Sequence, residues 1–327
     1  MLRLAAAALA LSLSTIACAQ AAPSAVAGPV LLVGNKGEDT VSFVDLKTGK
    51  EIGKAATAKA PHEIAISPDG KQAAVVAYGG KSIDIFDIAS RARLKTIDLA
   101  PNDGPHGIAW LTDGRLVATT ERSQSIVVVD PKAGKVAASI ATGQPGTHMV
   151  AVSPDASRAY TANIAAGTVS VIDLDAGAKL RDLAVGGEPE GIALADRGRT
   201  LWVGDLKGHR VQAFDTESFE KLAEVETGAV PIRVVARPDG KWVVTSNVMA
   251  GTLTVIDAAT RARVRDILVS GQPQAGQVTI LFSADSKRLY AAETGRNQVA
   301  EIDLAGGKVL RRLPAGKQGD GLAIAGE

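Results

Sequence analysis

The sequence predicts an all-β protein, a seven-bladed β-propeller of four-stranded blades, on three observations. An Asp that closes a short apolar run recurs at spacings of 42 to 46 residues. Each repeat holds four short apolar runs, and the two chain ends carry complementary parts of one repeat. A period in this range is typical of propeller blades and other stacked repeats. The recurring residues are Asp45, Asp87, Asp130, Asp173, Asp215, Asp257 and Asp303.

The first complete repeat shows the pattern of one blade. Its apolar runs cover residues 62–67, 72–78, 82–87 and 92–99, and Ser67-Pro-Asp-Gly70 separates the first two. Proline presets φ, Asp bonds its own backbone and Gly accepts positive φ, so this tetrapeptide predicts a hairpin turn. Some runs, such as 73–77, are apolar at every position, which predicts sheets covered on both faces. The recurrent Asp is expected to cap the turn after the third strand.

The chain ends predict a closed ring. The last repeat stops after one run, 321–325, and the missing three runs stand at the beginning, at 30–35, 41–45 and 51–56. We therefore expect the C-terminal inner strand to pair with the N-terminal strands and to complete the seventh blade. Closure removes the exposed strand edges that an open stack of repeats would leave.

The N-terminus predicts export. One charge at Arg3, an apolar stretch over 4–16 and small residues up to Ala21 match a secretory signal peptide, and the stretch is too short to span a bilayer. We predict a signal peptide over 1–21, a linker over 22–28, one propeller domain over 29–327 and a periplasmic location. Lipidation of Cys18 is the alternative, which Thr15 disfavours.

Composition excludes several classes of function. Cys18 is the only cysteine, so the exported chain is expected to have no disulfide, thiol nucleophile or cysteine-ligated metal. Lys plus Arg number 36 against 35 for Asp plus Glu, without a basic run. The balance argues against nucleic acid and anionic membranes as partners.

Two strand motifs resemble a known repeat family. Tyr160-Thr-Ala-Asn163, Val244-Thr-Ser-Asn247 and Val169-Ser-Val-Ile-Asp173 are similar to the phrases of YVTN-type β-propeller repeats. The resemblance covers nearly all of the exported chain. It implies seven blades with the first strand of each innermost. It also implies a role typical of such propellers, which bind ligands, act as scaffolds or accompany redox enzymes. A WD40 propeller is disfavoured because only three Trp occur and none precedes an Asp.

Alignment of the repeats places imidazoles and carboxylates at one mouth of the central channel. The aligned starts of the inner strands, blade by blade, are His62, His106, His148, Glu190, Ile232, Val278 and Asp320. Three of four histidines are thus equivalent and consecutive. Imidazole and carboxylate are ligands of first-row divalent metals, with zinc the first candidate. We therefore predict metal ligation by His62, His106, His148, Glu190 and Asp320; charged imidazoles could instead hold an anion.

A second set of polar residues stands where the second strands end. These positions carry Asn35, Tyr78, Glu121, Asn163, Asp205, Asn247 and Glu293. We predict that Glu121, Asp205, Glu293, Asn163 and Asn247 contact the ligand or orient the histidines. Arg233, one position inward of Ile232, is predicted to face the channel and to favour an anion.

Both rings have a structural interpretation as well. Duplication alone can copy a histidine, and Pro61-His62 or Pro105-His106 can simply begin a strand. The Asn residues can bond to backbone in a turn, and His209 lies in a different loop with a structural role expected.

The function expected from these residues is that of a non-enzymatic periplasmic binding protein. Its channel mouth would hold a divalent metal or a small metal-bound or anionic ligand, for delivery to a periplasmic protein partner such as a transporter or enzyme. One alternative is a metal-dependent hydrolase or lyase, similar to lactonases, on the same face. The resemblance to propeller repeats adds another: a scaffold or companion of a periplasmic quinone-dependent redox system.

Overall fold

Seven four-stranded antiparallel sheets make up residues 28–326, the part of the chain that the computed structural model describes. The predicted signal peptide, Cys18 and the linker up to residue 27 lie outside the described residues. The inner strand of each sheet contacts the inner strands on either side, from blade to blade around the ring. The predicted all-β, seven-bladed propeller is confirmed.

The strands follow the repeat, and blades are counted from the first complete one. Blade 7 holds β1 (Val30–Asn35), β2 (Thr40–Asp45) and β3 (Lys50–Ala56). Blade 1 holds β4 (Pro61–Ile66), β5 (Gln72–Ala77), β6 (Ser82–Asp87) and β7 (Arg93–Asp98), and blade 2 holds β8 (Pro105–Trp110), β9 (Leu116–Thr120), β10 (Ser125–Asp130) and β11 (Lys135–Ala141). Blade 3 holds β12 (Thr147–Val152), β13 (Arg158–Asn163), β14 (Thr168–Asp173) and β15 (Ala178–Ala184), and blade 4 holds β16 (Pro189–Ala195), β17 (Thr200–Asp205), β18 (Arg210–Asp215) and β19 (Lys221–Glu226). Blade 5 holds β20 (Pro231–Ala236), β21 (Trp242–Asn247), β22 (Thr252–Asp257) and β23 (Arg263–Leu268), and blade 6 holds β24 (Gln277–Phe282), β25 (Arg288–Glu293), β26 (Gln298–Asp303) and β27 (Lys308–Pro314). The last strand, β28 (Gly319–Ala325), belongs to blade 7.

Single 3-10 turns interrupt some connections. They cover Glu121–Ser123, Ile164–Ala166, Asp196–Gly198, Pro273–Ala275 and Thr294–Arg296. None of the described helices is long and apolar enough to cross a membrane.

The ring closes through the two ends of the described chain. β28 pairs antiparallel with β1, with Leu31 opposite Ile324 and Val33 opposite Leu322. Blade 7 therefore takes its inner strand from the C-terminal end and its other three strands from the N-terminal end, as predicted.

Local turn chemistry explains the recurring motifs. Ser67 Oγ donates to Asp69 Oδ1 at 2.7 Å, and Gly70 has φ +72°, so the Ser-Pro-Asp-Gly hairpin forms as expected. The Asp that ends the third strand accepts backbone N–H groups of the following turn in six of the seven blades, for example Thr48 N to Asp45 Oδ1 at 2.8 Å. The predicted capping role is confirmed for these six; the described turn after Asp303 is closed by a backbone bond from Gly307 N to Asp303 O.

The core lies between neighbouring blades. Phe43 of blade 7 and Phe86 of blade 1 are fully buried in one cluster with Val75 and Leu32. Burying an aromatic or branched side chain of this size contributes about 1.5–3 kcal/mol, so seven such interfaces hold the ring together. Strands that are apolar at every position, such as residues 73–77, are covered on both faces by these interfaces.

Glycines bring the inner strands close together at the channel mouth. A Cβ on Gly107 would lie 2.8 Å from Val150 N, and one on Gly321 would lie 1.8 Å from His62 O. Since real Cβ atoms do not approach backbone this closely, only glycine allows neighbouring inner strands to pack here. Gly107 follows His106 and Gly321 follows Asp320, so the close packing occurs beside the aligned polar residues.

Candidate functional site

Three imidazoles from consecutive blades stack at one mouth of the channel. The ring centroids of His62 and His106 lie 4.0 Å apart, and those of His106 and His148 lie 3.5 Å apart. Tyr78 meets His62 and His106 edge-on, at centroid distances of 5.8 and 5.3 Å. Each histidine is the second residue of its inner strand, so the shared register of β4, β8 and β12 makes them converge. We call this cluster and its charged neighbours the hub.

Carboxylates surround the outer two imidazoles. Glu121 Oε2 lies 2.9 Å from His148 Nδ1, and Glu190 Oε1 lies 3.5 Å from His148 Nε2. At the other end of the stack, Asp320 Oδ2 lies 3.4 Å from His62 Nε2. The structure therefore brings together all five residues predicted as metal ligands. Glu121, predicted as an orienting residue, contacts the histidine of the next blade rather than His106 of its own blade.

A buried guanidinium links the hub to the opposite side of the ring. Arg233 Nη1 donates to Glu190 Oε1 at 2.5 Å, and its Nη2 donates to Glu63 Oε1 at 2.9 Å. Arg233 starts from blade 5 and Glu63 from blade 1, so the side chain reaches across the channel. The sequence predicts that Arg233 favours an anion, whereas its described bonds go to carboxylates of the protein and to the Ile232 carbonyl.

Glu63 is the hub residue that the sequence analysis missed. It is buried, and its Oε1 lies 3.6 Å from His62 Nδ1 as well as against Arg233. The repeat alignment could have identified it, because Glu63 follows His62 just as Arg233 follows Ile232 at the aligned position of blade 5. Glycine occupies that position in three other blades, so a side chain there is itself informative.

The surroundings set the protonation of the histidines. Burial, reinforced by the neighbouring histidines and Arg233, holds the pKa of His106 well below its usual value of 6.5. Burial also opposes charge on His148, but hydrogen bonds with Glu121 and Glu190 outweigh it and raise the pKa of that imidazole. His106 is therefore neutral at pH 7, the form in which an imidazole binds metal.

The buried carboxyls are ionised. Burial favours the neutral acid, but Arg233 outweighs it and lowers the pKa of Glu63. Burial is likewise outweighed at Glu190 by His148 and Arg233, and at Asp320 by His62 and Lys36, and the pKa of each carboxyl falls. The hub therefore carries fixed negative charge at neutral pH.

The charges of the hub favour a cation over an anion. Four carboxylates contact the imidazoles or Arg233, whereas the described cations paired with them are Arg233 and Lys36. These carboxylates outnumber the two cations, and one proton on His148 does not remove the excess of negative charge. A cation is attracted to such a site and an anion is repelled.

Two buried imidazole nitrogens lack a hydrogen bond among the described residues, although one of them lies 3.6 Å from Glu63 Oε1. His62 Nδ1 and His106 Nδ1 are both buried and, among the described residues, neither makes a hydrogen bond. Donor atoms of His62, Glu63 and His106 all lie within 4.8 Å of one another. Buried polar atoms are normally paired, and each exception calls for an explanation. Two imidazoles and one carboxylate form a ligand set that zinc uses, with its remaining position open.

Four predicted ligand-contacting residues bond locally instead. Asn163 Nδ2 donates to Ser170 Oγ at 2.9 Å, and Asn247 Nδ2 donates to Thr254 Oγ1 at 2.9 Å. Asp205 accepts from Arg210 Nε at 3.0 Å, and Glu293 accepts from Arg312 Nε at 2.7 Å. These contacts tie the end of each second strand to its own blade. The structural interpretation expected the Asn residues to bond to backbone, but Asn163 and Asn247 donate to hydroxyl groups. Of the five residues predicted at these strand ends, Glu121 alone contacts a histidine among the described residues.

The remaining aligned positions lack ligand atoms. Ile232 and Val278 are half-buried and close the ring on the side of blades 5 and 6. His209 lies in the β17–β18 loop, where its Nδ1 accepts the Val230 backbone N–H at 3.1 Å. The chain therefore has three histidines in the hub and one outside it.

Comparison with known proteins places this architecture in a wider group. A family model described as YNCE-like beta-propeller matches residues 2–325. Hydrazine synthase subunit beta of Kuenenia stuttgartiensis is 27% identical over 235 residues, which cover 61% of this chain and 54% of that protein. Protein NirF of Stutzerimonas stutzeri is 27% identical over 120 residues, 36% of this chain and 30% of NirF. The chain thus spans about half or less of the length of these relatives.

A solved structure shows the same fold. Kuenenia stuttgartiensis hydrazine synthase superposes with a TM-score of 0.76 at 20% identity, covering 90% of this chain and 99% of the matched chain. At this identity the likeness shows the fold alone.

Proposed function

Because this chain belongs to the YNCE-like β-propeller family, we propose that it is a non-enzymatic binding protein whose hub holds a divalent metal ion. The observation that carries the proposal is the pair of unpartnered imidazole nitrogens, His62 Nδ1 and His106 Nδ1, grouped with Glu63. Leaving a polar atom buried and unpaired costs about 1–3 kcal/mol. A metal ion supplies the missing partner for both atoms at once.

The three donors come from a rigid part of the molecule. His62 and Glu63 are adjacent in β4, and His106 lies at the start of the neighbouring inner strand β8. Rigid strands hold ligands in place without the entropic cost of ordering a loop, which favours tight binding. Zinc, with its preference for nitrogen and carboxylate ligands, remains the first candidate.

His148, Glu190 and Asp320 take a supporting part in this proposal. Both nitrogens of His148 face carboxylates, and Asp320 accepts from Lys36 at 2.5 Å and from Thr279 at 2.9 Å. Side chains engaged in this way hold the imidazole stack and the charge of the hub in place. We therefore assign the ligands to His62, Glu63 and His106 and the surrounding charge to the other three residues.

Metal analysis of untagged protein tests the proposal. We expect about one zinc ion per chain in the wild type, taken up again after chelation and measurable by calorimetry. The double variant His62→Gln/His106→Gln should bind none. The matched control is His209→Gln, which changes the one histidine outside the hub and should bind like the wild type. Equal uptake by wild type and double variant, or no uptake by either, would reject the site.

A companion role is favoured by the relatives. The matched Kuenenia protein is named as a subunit of a synthase. We propose that this propeller likewise works beside a protein partner in the periplasm, the location that the N-terminal sequence predicts. Crosslinking in cells, followed by purification through an affinity tag placed away from the hub, tests this role. Recovery of the chain without a reproducible partner would count against it.

An activity assay on the same protein preparation tests the alternative that the hub is the active site of a hydrolase. Zinc-loaded wild type should not turn over a panel of lactones and esters above the metal-free background. Turnover that disappears with chelator and in the double histidine variant would replace the binding role by a catalytic one.

A further inference from the structure

Three of the four carboxylates of the hub are held by cations of the protein itself, whereas Glu121 contacts His148. Arg233 engages Glu63 and Glu190, and Lys36 engages Asp320. Arg233 is 3% exposed, so its two ion pairs lie away from solvent and are screened little. Two buried imidazole nitrogens of the hub, His62 Nδ1 and His106 Nδ1, can bind a metal and make no hydrogen bond among the described residues.

We propose that Arg233 and Lys36 determine which metal the hub accepts, an inference that rests on the proposed metal site. By occupying one oxygen each of Glu63, Glu190 and Asp320, they reduce the carboxylate oxygens open to a metal and leave a donor set centred on two imidazole nitrogens and Glu63. Such a donor set suits late first-row ions such as Co²⁺, Ni²⁺, Cu²⁺ and Zn²⁺. The hub rejects Mg²⁺, Ca²⁺ and Mn²⁺, which prefer oxygen ligands.

The chemistry of the rejected ions explains why two cations suffice. Calcium takes 6–8 oxygen ligands, often with a bidentate carboxylate. Glu63, Glu190 and Asp320 could provide several such oxygens around the histidine stack, and without the two cations the hub would be an acidic cluster open to hard ions. Glu63 Oε1 already accepts from Arg233 at 2.9 Å, which leaves that carboxylate unable to bind in bidentate fashion.

Competition on the wild-type protein is the first test. Zinc, manganese and calcium are titrated separately and then against one another at fixed ionic strength. We expect zinc to bind and neither manganese nor calcium to displace it at a hundredfold excess over zinc, about the ratio that a difference of 2.7 kcal/mol gives. Zinc binding accompanied by manganese or calcium binding of equal affinity would overturn the selectivity inference and leave the proposed function standing. Absence of zinc binding would instead defeat the proposed function.

A charge-matched variant tests Arg233 itself. Arg233→Met/Glu190→Gln removes one charge of each sign, so the net charge of the hub is unchanged while Glu63 loses its guanidinium partner. We expect manganese affinity to rise by about tenfold, with zinc affinity changed less. Unchanged manganese affinity in a folded variant would remove Arg233 from the account of selectivity.

Lys36 offers a second variant that is expected to fold, because its side chain is 30% exposed. Lys36→Met frees Asp320 and should also raise the affinity for manganese relative to zinc. The control is Lys54→Met, which removes the same charge from an exposed pair with Glu38 outside the hub. A rise of equal size in the Lys54 variant would assign the effect to overall charge and contradict the proposed role of Lys36.

Discussion

Arg233 Nη2 lies 2.9 Å from Glu63 Oε1, although 170 positions separate the two residues in the sequence. One belongs to β20 of blade 5 and the other to β4 of blade 1, on opposite sides of the ring. The contact therefore exists only in the closed ring. Because the same guanidinium also meets Glu190 of blade 4, three blades are joined by one buried side chain.

The first prediction concerns the stability that this contact provides. Arg233→Met should lower the free energy of unfolding by about 3–5 kcal/mol, because Glu63 and Glu190 are buried and lose the guanidinium that both share, keeping only longer imidazole contacts. Adding Glu63→Gln should recover part of the loss, so that the two changes are less than additive by about 0.5–3 kcal/mol. Urea unfolding of wild type, both single variants and the double variant measures the coupling. Simple additivity would show that the two groups do not interact in solution.

The second prediction concerns the glycine that lets blade 7 meet blade 1. A Cβ on Gly321 would lie 1.8 Å from His62 O and 2.6 Å from His62 C, so Gly321→Ala must displace one of the two inner strands. Forcing atoms into a packed site costs about 1–3 kcal/mol, and the displacement moves His62 directly. We expect a lower unfolding midpoint and a weakened zinc affinity together.

Gly80→Ala provides the control for this change. A Cβ there would have its nearest neighbour at 3.8 Å, an ordinary contact, and the residue does not require positive φ. Its stability and zinc affinity should match the wild type. A Gly321 variant that behaves in the same way would contradict the close backbone packing at the hub.

The fold could be predicted from the sequence because every repeat carries the same pattern of residues. Each blade carries the same apolar runs and the same capping Asp, and the complementary ends dictate closure between β28 and β1. Alignment of the repeats also located His62, His106 and His148 at one mouth, because residues in the same register of a ring converge.

The partners within the hub could not be predicted in the same way. Which carboxylate meets Arg233 depends on the reach of a long side chain across the channel, and that distance is not encoded in the repeat. Asn163 and Asn247 occupy positions as regular as the histidines, yet their side chains bond to hydroxyls of the adjacent third strand. Register fixes where a strand ends but not which neighbour its last side chain selects.

The third prediction is a pH dependence at the ring closure. Glu38 Oε1 accepts from Lys54 Nζ at 2.8 Å and its Oε2 accepts the Lys317 backbone N–H at 3.1 Å, which joins the β1–β2 loop to the segment before β28. The Lys54 hydrogen bond first, then those from the Lys317 backbone and Thr40, lower the pKa of Glu38 from 4.5 to about 2. Since the folded carboxyl is the stronger acid, its contribution is complete above pH 4.5 and is lost as the pH falls toward 2.

Glu38→Gln measures this contribution. The side chain is partly exposed, so the loss at pH 7 should be below about 1 kcal/mol. The difference between wild type and variant in urea unfolding should shrink steadily from pH 5 downward. A difference that stays constant between pH 7 and pH 3 would assign the effect to shape rather than charge.

The fourth prediction separates a ligand from a structural histidine. The Nδ1 atom of His106 is buried without a hydrogen bond, so in chelator His106→Leu should leave the free energy of unfolding unchanged or raise it by up to about 1 kcal/mol. His148 occupies the equivalent position in the next blade but has a carboxylate at each nitrogen. His148→Leu should therefore cost about 3 kcal/mol, because Glu121 loses its imidazole partner and Glu190 keeps only Arg233.

With excess zinc, the wild type should have a higher free energy of unfolding than the His106→Leu variant, whereas in chelator the variant should be equally or more stable. A ligand at a hundred times its dissociation constant stabilises the folded state by about 2.7 kcal/mol, and only a protein that keeps both His62 and His106 gains it. Urea unfolding of the three proteins, with chelator and with excess zinc, gives both comparisons. If His106→Leu lowers the free energy of unfolding in chelator as much as His148→Leu does, the imidazole of His106 stabilises the fold rather than binding a metal. A residue whose role is metal binding should not affect the stability of the metal-free protein.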